Sequence, residues 1–578
     1  MAALPPLANF VAIRDASPPR LLETEQLMRS KGKFEEIFRP HPEWVVGVSR
    51  LPDSTPDSRE VREAGLVFAE GRARLERGHE KNLTACFQQI AQMVRGAPKN
   101  LQHLPGDFTF LHFADSGEVV AVRSVAGTVP LYAWQRPGRA ALSTQMGSLI
   151  VYGGVPTETD DLVCGLWAIG NGVLPGGRTH LKNVRLIPKG AYLVLSADHQ
   201  RGEEYWTPPA PARRPPGEET QKERAQQLRP LLLNYLSENL HPDGVNLLTF
   251  SGGVDSSCLL VLAASLDREV CTWTELPVSG ASRDRELSFV LPLLEQLKIR
   301  RAWITDHADA RIARTLRREP YTHFPVFDPS LVDLPRLRES WNVRVIFGGL
   351  FADELCGSGR TMPDWCLAVS PIYVAQSLIA GRSQWMEPLR WLKHRLLWAA
   401  GRPLMPVMRN LPATLLPALR EEYRGWFESR TREVLSRTST HYFMRASLDV
   451  LDGYLLQTWE AGSALGIRRL APFFNRDILE FGFATHPAEK IRPLDKKILR
   501  RALEGLIPER VLLRPDKGGR PDQSAARAPI VESGSDSELA HRTLDLQYID
   551  AAADRGTRLY YPLLRCEHIV ASLNYGSM

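Results

Sequence analysis

Val245-Asn246-Leu247-Leu248-Thr249-Phe250-Ser251-Gly252-Gly253-Val254-Asp255-Ser256-Ser257 is the stretch on which the reading of this chain turns. Residues 245–250 form a short apolar run, as a strand buried in a parallel sheet does, and Ser256–Leu266 continues as an apolar helix. The heptapeptide 251–257 thus stands between strand and helix, the context a phosphate site requires. Gly252 and Gly253 let the backbone turn tightly and approach a ligand closely. Successive N–H groups then point inward as an anion nest at the helix N-terminus; Val254 completes the loop, and Ser251, Ser256 and Ser257 add hydroxyl donors. Asp255 sits where a carboxylate can hold Mg2+ against phosphates. No Gly-Lys-[Ser/Thr] is present, so this is not a Walker A loop. A plain Gly-Gly turn capped by serines is the competing reading, and the whole heptapeptide in its strand–loop–helix context outweighs it.

The 578 residues allow two to four domains of ordinary size (about 100–200 residues each). A composition 43% hydrophobic and 24% charged is that of a globular chain with a sizeable core. The net charge of +6 is small for this length and the basic residues are scattered, so nucleic acid binding has no support. The seven cysteines, at 86, 164, 258, 271, 356, 366 and 566, include no Cys-x-x-Cys pair, which argues against zinc or a disulfide framework and for a reducing cytoplasm. The N-terminus lacks a basic, then apolar, signal pattern. The apolar segment around Trp391–Ala400 is interrupted by Lys393, His394 and Arg395, so no membrane span is expected.

Proline-rich residues 207–217 oppose helix and sheet alike and read as a linker. Before them, runs such as Glu118–Arg123 and Ala191–Leu195 alternate with Gly and Pro turns, as in a β-rich domain. After them, Ala225–Leu240 has helical spacing, and strand–helix alternation runs through Val343–Phe347, as in an open α/β sheet. Residues 365–436 read as mostly helical, and 519–540 as a mobile loop.

The heptapeptide resembles the PP-loop of ATP pyrophosphatases, a likeness that implies ATP cleaved to AMP and pyrophosphate. Over most of its length the chain resembles the asparagine synthetase superfamily. The first part carries Leu104-Pro105-Gly106-Asp107-Phe108-Thr109-Phe110, Gly127-Thr128-Val129-Pro130-Leu131-Tyr132, Leu186-Ile187-Pro188-Lys189-Gly190 and Tyr205-Trp206 in that family's order. The second carries Gly349-Leu350-Phe351-Ala352-Asp353-Glu354-Leu355-Cys356-Gly357, Arg468-Arg469-Leu470-Ala471-Pro472-Phe473, Lys496-Lys497-Ile498-Leu499-Arg500 and Arg514-Pro515-Asp516-Lys517-Gly518.

The resemblance implies a mixed α/β fold. An N-terminal Ntn-type αββα sandwich, a degenerate glutaminase, spans 1–206; a linker follows at 207–224; a PP-loop ATP pyrophosphatase α/β domain with added helices fills 225–578. It also implies ATP and Mg2+ as cofactors, with Asp255 and Asp353 as the metal carboxylates. The 251–257 loop and Gly349 would lie against the nucleotide. The competing reading of Asp353-Glu354 is an N-cap followed by a solvated helix turn, and it is the one kept open for Glu354. Lys517 is carried over as the catalytic lysine, with Lys496 as the alternative phosphate contact.

The family's glutaminase uses an N-terminal cysteine as nucleophile. Here residue 2 is Ala and the first cysteine is Cys86, so no thiolate stands at that place. Asparagine synthetases have Glu at the position matching Leu350, and β-lactam synthetases have Tyr; a leucine neither takes a proton nor carries charge. The branch that fits is the lasso peptide cyclases, which adenylate an Asp or Glu side chain of a peptide and let its own N-terminal amine attack. The resemblance then implies a ribosomal precursor peptide, a leader peptidase and a leader-recognition protein as partners. A small-molecule amide synthetase and a non-catalytic peptide-binding member are the other readings.

Overall fold

The computed structural model describes residues 9–31, 34–49, 66–71, 83–96, 98–104, 107–170, 175–197, 199–210, 217–277, 280–305, 324–357, 389, 392–393, 396, 418–425, 448, 452–486, 488–491, 496–514, 538–547 and 560–573. Lys517 and most of the stretches 365–436 and 519–540 lie outside the described residues; residues 538–540, read as loop, open a helix at Glu538–Thr543.

Among the described residues the first part holds eleven strands: β1 (Asn9–Asp15), β2 (Glu36–His41), β3 (Trp44–Ser49), β4 (Leu66–Gly71), β5 (Phe108–Phe113), β6 (Val119–Arg123), β7 (Tyr132–Arg136), β8 (Arg139–Ser143), β9 (Arg185–Leu186), β10 (Ala191–Leu195) and β11 (Gln200–Glu204). They form two antiparallel sheets, ordered β2-β3-β1-β8-β7-β9 and β11-β10-β6-β5-β4. The period of two along a strand explains their layering. Phe10 and Ala12 of β1 meet Leu111, Phe113, Val119 and Ala121 of the other sheet. Val11 and Ile13 point the opposite way, into a cluster with Leu21 and Met28 of α1 (Pro18–Lys31). On the outer face of the second sheet, Phe110 and Val122 share a core with Ile90 and Val94 of α2 (Leu83–Gly96). The layers are therefore helix, sheet, sheet, helix, with α3 (Met146–Val151) and α4 (Asp161–Gly170) also on the first sheet.

Helix α5 (Glu218–Asn239) begins inside the segment read as linker. The proline run ends at Pro216, Gly217 takes the N-cap, and Glu218 and Glu219 fill the first turn, where carboxylates favour a helix start. A third sheet follows, built from β12 (Val245–Thr249), β13 (Val270–Glu275), β14 (Ala302–Thr305), β15 (Val343–Phe347) and β16 (Arg468–Leu470). All its neighbours are parallel, in the order β14-β13-β12-β15-β16. Chain order reverses between β12 and β15, the topological switch point where open α/β sheets bind ligands beyond the strand C-termini. Helices α6 (Val254–Ala264) and α7 (Ala281–Gln296) pack on one face, and α8 (Leu334–Trp341) on the other. Among the described residues no helix is long and apolar enough to cross a membrane.

Candidate active site

Two loops leave the sheet at this switch point. The first follows β12. Phe250 is tied to the neighbouring strand by its N–H to the Trp273 carbonyl at 2.8 Å. Gly252 then takes φ 67°, a left-handed turn, and a Cβ there would stand 3.0 Å from the Cβ of Phe289 on α7. Both facts require glycine. Gly253 caps α6, whose first N–H groups face the loop mouth as every helix N-terminus does.

The three serines have different places. Ser251 is exposed. Ser256 Oγ accepts from the Ser251 N–H and donates to the Gly253 carbonyl, both at 3.2 Å, so it braces the loop from inside. Ser257 is fully buried, and its Oγ has no hydrogen-bond partner among the described residues. Its burial sets it apart from the exposed Ser251.

The second loop follows β15. Gly349 passes so close to the first loop that a Cβ there would stand 3.3 Å from the Asp255 Cβ. Phe351 takes φ 74° as the N-cap of α9 (Ala352–Cys356), which carries Asp353. A left-handed non-glycine residue costs about 1–2 kcal/mol. Packing supplies the offset: Phe351 is buried and stacks on Phe474 with ring centroids 4.8 Å apart. Leu350 is half-buried against the same core. Glu354, read as a solvated turn residue, is instead only 1% exposed, because the short helix turns that side chain into the core with Leu355 and Cys356.

Lys496 joins the two loops. It precedes helix α13 (Lys497–Ala502; the labels α10 to α12 belong to Asp452–Leu465, Arg476–Ala484 and Ala488–Ile491) and is itself left-handed at φ 62°. Its Nζ contacts Asp255 Oδ2 and lies 2.8 Å from Asp353 Oδ1. All three side chains are largely buried. Lys496, read as the alternative to Lys517, therefore sits between the two carboxylates read as metal ligands. Its ammonium stands where a cation bridging them would stand. Asp255 Oδ1 is buried with no hydrogen-bond partner among the described residues, so an acceptor remains to be filled. A pair of acids with one open lone-pair site suits Mg2+, which keeps several waters and takes its other ligands from phosphate. No described cluster of three or more His, Cys, Asp or Glu offers a closed metal cage.

Arg514 holds the loop from behind. Its Nη1 donates to the Gly252 carbonyl at 3.3 Å, its Nη2 reaches both Glu286 oxygens at 2.9 Å, and the guanidinium lies 4.1 Å from the Phe289 ring centroid. Arg500 in turn donates to the Arg514 carbonyl at 2.7 Å. The motif reading placed Arg514 in a loop with Lys517 but not against Gly252, since nothing in Arg-Pro-Asp-Lys names its partner.

A glycine-rich loop, two convergent carboxylates and a lysine at a parallel-sheet switch point have the chemistry of a nucleotide-phosphate site in an α/β fold. The asparagine synthase family model matches residues 227–560, more than half of the chain, and the chain belongs to that family. The match covers both loops, Lys496 and Arg514. The putative glutamine-hydrolyzing asparagine synthetases of Mycobacterium bovis and Mycobacterium tuberculosis are 25% identical to it over 447 residues, 72% of this chain and 67% of theirs. Among solved structures, the glutamine phosphoribosylpyrophosphate amidotransferase from B. subtilis, complexed with ADP and GMP, is 9% identical over 51% of this chain and 90% of its own, with a TM-score of 0.23. So loose a superposition carries no argument. The family makes this an ATP-dependent ligase that forms amide bonds.

Proposed function

We propose that the chain is a lasso peptide cyclase: it adenylates an Asp or Glu side chain of a precursor peptide and closes a macrolactam with the peptide's N-terminal amine. The observation that carries this reading is Leu350, an apolar side chain three residues before Asp353, where the related synthetases have an acid or a phenol. With no general base supplied there, the amine has to arrive already oriented, and a tethered amine does so. Tethering can replace roughly 7–11 kcal/mol of the entropy cost of a bimolecular step in favourable cases.

The chemistry balances as two steps. A carboxylate oxygen attacks the α-phosphorus and pyrophosphate leaves; the amine then attacks the acyl carbon, AMP leaves, and the amine loses a proton. Bound Mg2+ supplies charge neutralisation on the phosphates, and Asp255 and Asp353 are the residues to hold it. The 251–257 backbone and Gly349 flank the phosphates. Lys496, which contacts both carboxylates here, would offer its ammonium to phosphate oxygen if Mg2+ were held between them. Lys517, three residues beyond the anchored Arg514, is the proposed lysine for charge on the adenylation transition state.

Residues 1–206 serve as a degenerate glutaminase in this reading. Of their two cysteines, Cys86 belongs to α2, and Cys164 is fully buried in α4 with its thiol pKa pushed well up by burial. A thiol buried as Cys164 is cannot be a thiolate presented to glutamine. A cytoplasmic setting with a leader peptidase and a leader-recognition protein completes the proposal.

The test is incubation of the full chain with ATP, Mg2+ and a leaderless peptide bearing an Asp or Glu within ring-forming reach of its N-terminus. The expected product has lost the mass of one water, with one pyrophosphate released per ring. Turnover of free amino acids with no peptide present would favour a small-molecule amide synthetase instead.

A further inference from the structure

The sequence motifs of the N-terminal sandwich do more than mark its fold: they converge on the ATP-site loop. Arg123, at the end of β6, is wholly buried. It donates to the carbonyls of Gly127, Val129 and Ile187, at 2.6, 3.1 and 2.9 Å, and so ties two motif turns together. Its remaining donors meet Asp452, the first residue of α10, at 2.8 and 3.2 Å. Lys189, from the second of those turns, lies beside it. A Cβ on Gly127 would stand 2.3 Å from the Lys189 Cγ, so that glycine makes room for the lysine stem.

The Lys189 ammonium crosses into the second half of the chain. It donates to the Leu448 carbonyl at 3.0 Å, lies 3.3 Å from Asp452 Oδ1, and stands 4.4 Å from the centroid of the Phe474 ring. Phe474 is the ring on which Phe351 stacks, and Phe351 is the strained residue that starts the helix of Asp353. The far side of α10 is fixed to the same sandwich. Trp459 Nε1 donates to the Thr144 carbonyl at 3.0 Å, and Glu460 Oε1 accepts from the Met146 N–H at 3.2 Å and the Tyr132 hydroxyl at 3.3 Å.

We infer that Lys189 is a positioning residue for the ATP site: through Phe474 it holds Phe351 in its left-handed conformation and thereby sets Asp353 opposite Asp255. The sandwich then has a task that needs no glutamine chemistry. It supplies the cation that fixes one wall of the phosphate site, at a largely buried position where a cation–ring contact is stronger than at an exposed one. The inference rests on the reading of Asp353 as a Mg2+ ligand.

The experiment measures Mg2+-ATP binding to the full chain by calorimetry across a Mg2+ titration. Lys189→Met keeps the stem and removes the charge; Lys189→Arg keeps a cation. Lys189→Met should weaken Mg2+-ATP binding by about threefold to thirtyfold and raise the Mg2+ needed for half-saturation, with Lys189→Arg recovering most of the loss. Phe474→Leu should do the same, and the Lys189→Met/Phe474→Leu double variant should be no worse than the weaker single. Wild-type Mg2+ dependence in Lys189→Met, additive losses in the double variant, or a loss of melting temperature with no shift in Mg2+ dependence would overturn the inference. Asp353→Asn checks the underlying reading separately: if it leaves the Mg2+ dependence intact, the metal assignment fails, whatever Lys189 does.

Discussion

Lys496 Nζ lies 2.8 Å from Asp353 Oδ1 while also touching Asp255, so one ammonium is shared by two carboxylates that come from different loops of the parallel sheet. Without it, two buried anions would face each other at the switch point. In the proposed function, lysine and divalent cation therefore compete for one place.

That competition has a measurable sign. Lys496→Met should bind free Mg2+, in the absence of ATP, at least about tenfold more tightly than the wild type, since it removes a positive charge a few ångströms from the metal position. The same variant should lose about 100-fold in amide-forming turnover through the missing phosphate contact. Calorimetric titration with Mg2+ alone and a turnover assay read the two effects independently. Mg2+ binding unchanged by the substitution would show that the carboxylates do not share the metal.

Gly252 is constrained by both its conformation and its surroundings. Gly252→Ala adds the left-handed cost of about 1–2 kcal/mol and a contact at 3.0 Å with Phe289. The loop is expected to relax by moving its N–H groups, so ATP affinity should fall by tenfold or more while the rest of the fold persists. Equilibrium binding of ATP, with circular dichroism as the control, checks this; an alanine variant with wild-type affinity would show that the loop does not cradle phosphate.

Arg514 closes a buried network, and removing it leaves the Glu286 carboxylate without its bidentate partner. Arg514→Met should cost about 3–5 kcal/mol in unfolding free energy. Arg514→Lys should recover only part, because an ammonium cannot serve the Gly252 carbonyl and both Glu286 oxygens in the planar fork geometry. Denaturant unfolding distinguishes the three; equal stability of Arg514→Met and wild type would remove the anchor from the account.

Glu460 introduces a pH dependence. Burial raises its pKa from 4.5 to about 7, against the lowering effect of its bonds from Met146 and Tyr132. The folded state thus holds this proton more tightly than the unfolded chain. The resulting stability is fully present below about pH 4.5 and is lost as pH rises through about 7. Buried His112 and His486, lowered to about 4, and His180, lowered to about 3, act in the opposite sense below pH 6.5, so the wild-type curve mixes both. Glu460→Gln isolates one of them. Its stability relative to wild type should climb between pH 4.5 and 7 and then level off, by about 3 kcal/mol at most. A difference that stays flat across that range would contradict the assignment.

The site was legible wherever local chemistry forces a residue type. Gly252 is demanded by a left-handed turn, and β12 and β15 read as strands because apolar residues dominate both, interrupted by Asn246 and Thr249 in the first and Arg344 in the second. What the chain hides is partnership across long separations. Lys496 is 241 residues from Asp255, and Arg514 is 262 from Gly252. No periodicity links such residues; only the folded sheet brings them together. Ser257 reads like Ser251 in sequence and differs in being fully buried. The start of α5 was misplaced for a simpler reason, since helical apolar spacing shows only from Ala225 while the first turn is polar and exposed. The Lys189–Phe474–Phe351 path left no sequence signal beyond motifs already explained by the sandwich.

The most direct test of the central claim follows one oxygen atom. A peptide carrying 18O in its Asp or Glu side-chain carboxylate is incubated with the full chain, ATP and Mg2+, and the nucleotide product is analysed by mass spectrometry. Activation as an adenylate requires the label to leave with the phosphorus it attacked, so AMP should carry one 18O for each amide formed, with unlabelled pyrophosphate. Label in inorganic phosphate, with ADP as the nucleotide, would mean attack at the γ-phosphorus and would contradict the account.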